Sequence, residues 1–336
     1  MKGKMTLACQ CALALLLAAD VLAAQQTIKL RVTETIPVPG VWVGPIMVPV
    51  KCDAKRNIYY RGYQRGNPMA APVVKISAEG KHGPVFALDS VPGFEGGPFK
   101  DFAVSLRGGV YLLAGREKEQ VIVSFDEDGK YISTIKLESR FAPAQIASFP
   151  SGEFLVTGME LRLAKEGVPS GEPFTAIFDG RGELTKRLDL PDDVKPAARP
   201  KEGEDPNPAI SLGMAMPGDD GNIYSMRFAS PPVVHVISPG GEVLRRMAIA
   251  PPAGNFRAIT MKVAGGKLVV QFEENDPATD IAQRVFSLLD AETGEKILDY
   301  EPAPEVGGAF ACYTPNGFTF LAHQGRQLVI QRVVPR

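Results

Sequence analysis

A unit of strand, turn, strand, turn and strand recurs along this chain, and that recurrence constrains the fold more than any single motif. Its plainest copy is "GDDGNIYSMRFASPPVVHVISPGGEVLRRM", residues 218–247. A turn pair followed by an apolar or aromatic strand returns as Arg56-Asn57-Ile58-Tyr59-Tyr60, Gly108-Gly109-Val110-Tyr111-Leu112 and Ser151-Gly152-Glu153-Phe154-Leu155. It returns again as Gly221-Asn222-Ile223-Tyr224, Gly265-Gly266-Lys267-Leu268-Val269 and Asn316-Gly317-Phe318-Thr319-Phe320. From Ile58 through Val110, Phe154, Ile223 and Leu268 to Phe318 the spacings are 52, 44, 69, 45 and 50 residues. The widest spacing contains "LPDDVKPAARPKEGEDPNP" (190–208), which reads as an inserted mobile loop.

Each of the first five copies continues into a second alternating strand and a tight turn at Gly80, Gly129, Gly182, Gly241 or Gly294, where a positive φ meets no Cβ clash. One strand precedes each anchor and another follows each turn, so a unit holds four antiparallel strands. Five units are complete, and the sixth, "GAFACYTPNGFTFLAHQGRQLVIQRVVPR", holds three strands. The lone strand "TIKLRVTET" (27–35) is the natural fourth, because closing a radial array of sheets removes its exposed edges. The expectation is an all-β, six-bladed β-propeller over 25–336, with blades near 45–90, 98–138, 145–190, 209–250, 257–301 and 308–334 plus 27–35. Units such as "DGNIYSM" with "VVHVISPGGEV" make residues 45–334 resemble the six-bladed propellers of the NHL-repeat-like group. That resemblance implies a fold; its members include binding modules, interaction platforms, and hydrolases or lyases with a metal in the channel.

Residues 1–24 have a secretory layout: Lys2 and Lys4, an apolar run Leu7–Leu17, then Val21-Leu22-Ala23-Ala24. The run is shorter than the roughly 20 residues a spanning helix needs, and no later segment reaches that length. An exported chain is expected, periplasmic or secreted, and a monomer. Without that leader the chain carries 35 basic and 37 acidic side chains, which offers nucleic acid no electrostatic purchase. Two cysteines remain, Cys52 and Cys312, each six residues before its anchor and so equivalent in the first and last units. Two readings stand for them: a bridge across the closure seam, or two separate buried thiols.

Function is far less legible. In a propeller the loops joining second to third strands gather at one mouth of the channel. Here they are expected at 60–72, 113–120, 158–173, 227–232, 271–283 and 323–326. Arg61, Arg65, Arg116, Arg162, Arg227 and Arg326 fall there, and converging guanidinium groups can grip a carboxylate, sulfate or phosphate. Exposed arginines paired with nearby acids explain the same pattern. Glu273, Glu274, Asp276 and Asp280 offer oxygen ligands that make calcium possible, though no cofactor is required. Of three histidines, His323 at a mouth loop is the best acid–base candidate, while His235 alternates within a strand. Trp42, Tyr59, Tyr60, Tyr63 and Phe94 can form a stacking platform or pack between blades. The leading expectation is a non-enzymatic binder of a small anionic ligand, sugar or protein. The alternatives are a propeller hydrolase or lyase with a channel metal, and an envelope-associated scaffold contacting its partner through 190–208.

Overall fold

The computed structural model describes residues 27–40, 44–62, 71–94, 99–116, 119–138, 141–163, 169–193, 212–276 and 281–336. The leader-like segment, Trp42, Tyr63, Arg65 and Asp280 lie outside the described residues. Period-two alternation sets the structure: every regular element among the described residues is a strand, apart from one 3-10 turn at Leu88–Ser90. None is a helix long and apolar enough to cross a membrane.

Strand β1 (Thr27–Val38) is followed by β2 (Ile46–Cys52), β3 (Ile58–Gly62), β4 (Val73–Ile76) and β5 (His82–Phe86), which form the first four-stranded sheet. The second holds β6 (Phe99–Val104), β7 (Val110–Arg116), β8 (Glu119–Phe125) and β9 (Tyr131–Lys136). The third holds β10 (Ala142–Ser148), β11 (Phe154–Leu163), β12 (Pro169–Phe178) and β13 (Leu184–Leu188). The fourth holds β14 (Leu212–Pro217), β15 (Ile223–Arg227), β16 (Val233–Ile237) and β17 (Val243–Ala248). The remaining strands are β18 (Arg257–Ala264), β19 (Lys267–Asp276), β20 (Ile281–Asp290), β21 (Lys296–Pro302), β22 (Ala309–Thr314), β23 (Gly317–Gln324) and β24 (Gln327–Pro335). Together with β1 they make one eight-stranded sheet, ordered β18-β19-β20-β21-β1-β24-β23-β22. First strands touch in the order β2, β6, β10, β14, β18, β22, and β22 returns to β2. The chain is an all-β propeller of four-stranded antiparallel units.

Where six separate sheets are expected, hydrogen bonding yields five. Strand β1 pairs with β24 antiparallel, from Leu30–Pro335 to Val38–Leu328, as an added outer strand. Its first residues also pair with β21 in parallel, from Thr27–Asp299 to Leu30–Pro302, and this joins the last two units edge to edge. Leu30 and Val38 are buried while most of the intervening side chains face solvent. The outer strands of the second, third and fourth sheets carry charge, as in Leu184-Thr185-Lys186-Arg187-Leu188 and Val243-Leu244-Arg245-Arg246-Met247, and that of the first carries Pro84; both discourage edge-to-edge pairing with other chains.

Turn chemistry repeats with the strands. Asp126 and Asp179 each accept backbone N–H bonds from the residue two places on and four places on, shaping the turn from within. Gly241 then takes φ +73°, a conformation that a side chain disfavours. The core lies between sheets: Phe86, Phe99, Phe102 and Phe125 fill the space between the first and second. Phe286 meets Phe310, Phe318 and Phe320 at 5.2, 5.9 and 5.5 Å between the last two units. Each such ring contributes roughly 2 kcal/mol by burial.

Cys52 and Cys312 form a disulfide, with Cα atoms 5.8 Å apart and a sequence separation of 260. Restricting so long a loop in the unfolded chain is its main stabilising effect. Replacing both cysteines by serine is expected to lower the unfolding free energy by roughly 2–5 kcal/mol, measured in denaturant, with β content unchanged by circular dichroism. A loss below about 0.5 kcal/mol would show that the bridge restrains nothing.

Candidate functional site

Alternating up and down, the strands of each unit place the first-to-second and third-to-fourth turns on one face. Second-to-third connections and the links between units share the other, called the mouth face here. Strands run further into that face than the repeat spacing suggests. Strand β11 continues to Leu163 and β12 starts at Pro169, and β19 continues to Asp276 and β20 starts at Ile281. Much of the expected loop sequence at 158–173 and 271–283 is therefore ladder.

The mouth-face arginines take separate partners. Arg61 is buried, lies over the Phe99 ring at 3.9 Å, and donates from Nε to the Ala71 carbonyl at 3.3 Å. Burial pushes its pKa down, with Asp101 opposing the shift. Arg116 is half-exposed, 3.5 Å from Glu119 and 5.6 Å above Phe94. Arg227 is 1% exposed: Nε reaches Asp193 at 2.7 Å, Nη1 Ser225 at 3.0 Å and Nη2 Thr175 at 2.7 Å. Arg326 sits exposed on the β23–β24 turn. The backbone of Arg162 belongs to β11, and its side chain is not among those described.

Asp192 and Asp193 tie the start of the Pro-rich insertion to the fourth sheet. Asp192 accepts from His235 Nε2 at 2.9 Å and from Arg246 at 2.7 and 2.5 Å. Arg246 holds its carboxyl below the usual range. His235 is fully buried and its Nδ1 finds no partner among the described residues; burial first, then Arg227, pushes its pKa down and favours the neutral ring. His323 is exposed and donates from Nε2 to the Gly44 carbonyl at 2.9 Å.

The acidic set does not converge on one point. Glu273 and Glu274 are neighbours in β19, so their side chains leave opposite faces of the strand. Glu273 accepts from Gln271 Nε2 at 2.7 Å, and Glu274 accepts from the Asn255 N–H at 2.9 Å. Asp276 ends β19, and no group of three potential metal ligands occurs among the described residues. Tyr59, Tyr60 and Phe94 are buried between sheets and present no stacking surface.

Two features escaped the repeat pattern. The first is a polar crossing of the channel. Lys51 of β2 contacts Asp101 at 3.1 and 3.2 Å, the Phe102 carbonyl, and the Ile146 carbonyl at 3.4 Å. It thus reaches past β6 to β10, while Asp101 also accepts the Ile146 N–H at 2.9 Å. Lys262 of β18 donates to the Val50 carbonyl of β2 at 2.5 Å, reaching past β22. Contacts that skip a neighbouring strand in the ring must span part of the channel. Burial, with Lys51 adding repulsion, pushes the Lys262 pKa down to about 7. A lysine among apolar residues near the end of a first strand, as in "IMVPVKC" or "TMKVA", was the available signal.

The second is a cleft of about 710 Å³ on the mouth face, beside β20 and the connections 252–256 and 302–306. Phe256, Gln283, Arg284, Asp299 and Glu301 line it with Pro252, among others. Arg284 is turned inward, donating to the carbonyls of Gly308 at 3.0 Å and Val306 at 2.6 Å. Asp299 accepts from Ser287 at 2.6 Å and Lys296 at 3.0 Å. The acceptors on this wall suit donated hydroxyl or amide protons.

The two channel lysines carry measurable consequences. Asp101→Ala strands a buried ammonium and is expected to cost about 3–5 kcal/mol in denaturant unfolding; a loss under about 1 kcal/mol would contradict the crossing. For Lys262, the unfolded chain holds a proton between pH 7 and 10.5 that the folded chain lacks, so stability rises with pH across that window. Lys262→Met removes this rise, and its stability advantage, on the order of a few kcal/mol at pH 6, should shrink by pH 10. A difference constant with pH would show that Lys262 titrates normally.

No protein-family model matches the chain, and no curated protein matches it. Solved structures do. A protein of unknown function from Dyadobacter fermentans is 10% identical at a TM-score of 0.52, covering 91% of this chain and 99% of its own. Virginiamycin B lyase from Staphylococcus aureus is 12% identical at 0.45, covering 91% and 99%. A PQQ-bound aldose sugar dehydrogenase from Streptomyces coelicolor is 11% identical at 0.46, covering 93% and 100%. At such identities a likeness is one of fold.

Proposed function

We propose that this chain is an exported, six-bladed propeller of the NHL-like group that binds an uncharged, polyhydroxylated ligand on its mouth face. The single observation carrying the binding role is the cleft of about 710 Å³ there, a volume typical of small-molecule sites. Phe256 offers a ring for the apolar face of a sugar, and Asp299, Glu301 and Gln283 offer acceptors for its hydroxyl groups. Asp299 is paired with Lys296, Glu301 with Lys29, and Arg284 lines the same wall, so the cleft carries little net charge and suits a neutral ligand. Half-exposed Arg116 and exposed Arg326 are candidates for outer contacts.

Support for six blades comes from the ring of six first strands and from β1 taking the outer place beside β24. The eight-stranded sheet is then two blades sharing β1. Support for export comes from the leader-like segment together with the Cys52–Cys312 bridge, which persists in an oxidising compartment. A metal-dependent hydrolase or lyase would act in the channel, where Asp101 is already taken up by Lys51 and Lys262 brings an amine rather than a carboxylate ligand.

Isothermal titration against a panel of neutral mono- and oligosaccharides, with phosphorylated and sulfated counterparts, tests this reading. Neutral members are expected to bind, and Phe256→Ala should weaken binding at least tenfold while shifting Tm by no more than about 2 °C. Binding confined to anionic members, or indifferent to Phe256, would overturn it.

A further inference from the structure

Four first-to-second turns share one backbone plan. In each, the first residue's N–H bonds to the carbonyl of the fifth, and the fourth residue's N–H bonds to the carbonyl of the first. The pairs are Asp53–Asn57 with Arg56–Asp53, Ser105–Gly109 with Gly108–Ser105, Phe149–Glu153 with Gly152–Phe149, and Gly218–Asn222 with Gly221–Gly218, all at 2.8–3.3 Å. The fourth residue takes a positive φ every time: +64° at Arg56, +88° at Gly108, +104° at Gly152 and +81° at Gly221. Three of the four are glycine, which adopts that conformation freely. Arg56 is the one non-glycine residue with positive φ among the described residues, so an arginine stands where the turn calls for glycine. Strain of this kind persists where the side chain has a use.

The side chain of Arg56 forms no ion pair or hydrogen bond with the described residues, yet it lines a cleft of about 180 Å³ at the closure seam. Arg332 of β24 lines the same cleft, held by Glu34 on Nε at 3.1 Å and by the Ala78 carbonyl on Nη2 at 3.0 Å, which leaves Nη1 over. Thr314, Thr319 and Asn316 add neutral polar groups, and no residue of the lining is acidic. Glu34, outside the lining, offsets the charge of Arg332, so the net positive charge of the cleft rests on Arg56; at roughly 30 Å³ per water the cleft has room for an oxyanion with its hydration. It opens on the turn face, opposite the mouth, and is independent of the cleft at Phe256.

We propose that this seam cleft binds a small oxyanion, a phosphate, sulfate or carboxylate group, between the guanidinium groups of Arg56 and Arg332. Arginine is suited to this because its planar fork meets two oxygens at once. The anion would link a turn of the first sheet to the strand that β1 covers, and so stabilise the seam by mass action.

The test is isothermal titration of the full chain with inorganic phosphate, sulfate, acetate and glycerol phosphate, at ionic strength held constant with chloride. At least one anion is expected to bind at one site per chain and to raise Tm. Phosphate or sulfate against acetate separates tetrahedral from carboxylate groups, and glycerol phosphate reports whether a pendant group enters. Arg56→Gly relieves the turn and so folds, with Tm in chloride unchanged or higher; it is expected to weaken binding tenfold or more. Arg181→Ala, in a turn of the third sheet, should leave affinity unchanged. No heat with any anion, equal affinity in Arg56→Gly, or an equal loss in Arg181→Ala would overturn the proposal.

Discussion

Closure holds this fold together. Each sheet of a propeller buries its faces against its neighbours, so a ring with one weak seam exposes two sheet faces and two edges at once. Here β1 lies between β24 and β21, and the Cys52–Cys312 bridge ties the first strands of the flanking units. These devices differ in kind. The strand satisfies backbone groups that would otherwise form an open edge, whereas the disulfide acts on the unfolded chain by shortening the loop it can explore. The parallel stretch from Thr27 to Leu30 adds a third link, joining neighbours that a strictly radial design keeps apart.

Inside the ring, charge does work that apolar packing does at the periphery. Lys51 and Asp101 form a buried pair, 6% and 8% exposed, that joins the first, second and third sheets. Such pairs seldom add much stability over an apolar core, but removing one partner is costly, so they act as registers for the strands they join. Lys262 has no carboxylate opposite among the described residues, and the protein accommodates it by lowering its affinity for a proton. The two clefts divide the remaining surface chemistry: carboxylates on the mouth face, guanidinium groups at the seam on the other.

Strand existence, turn position and repeat period were all readable, because each copy writes the same alternation and the same turn residues. The place of 27–35 beside the last unit was readable too, from counting strands. What could not be read was partnership. Arg227 and Arg61 look alike in sequence to an exposed loop arginine, yet both are buried by contacts from other sheets. Glu273 and Glu274 look like a cluster until strand geometry sends them to opposite sides. Second pairings of one strand, such as β1 with β21, leave no local mark at all. Arg56 is the instructive exception: its turn departs from the glycine of its siblings, and that departure is visible once the repeats are aligned.

Backbone hydrogen–deuterium exchange at the seam tests the central claim, that the ring is closed by β1, most directly. If it is, amides of β1 and β24 exchange as slowly as those of the first strands β6 and β10, and only through global unfolding. Exchange of β1 within seconds, while β6 and β10 stay protected, would contradict closure by this strand.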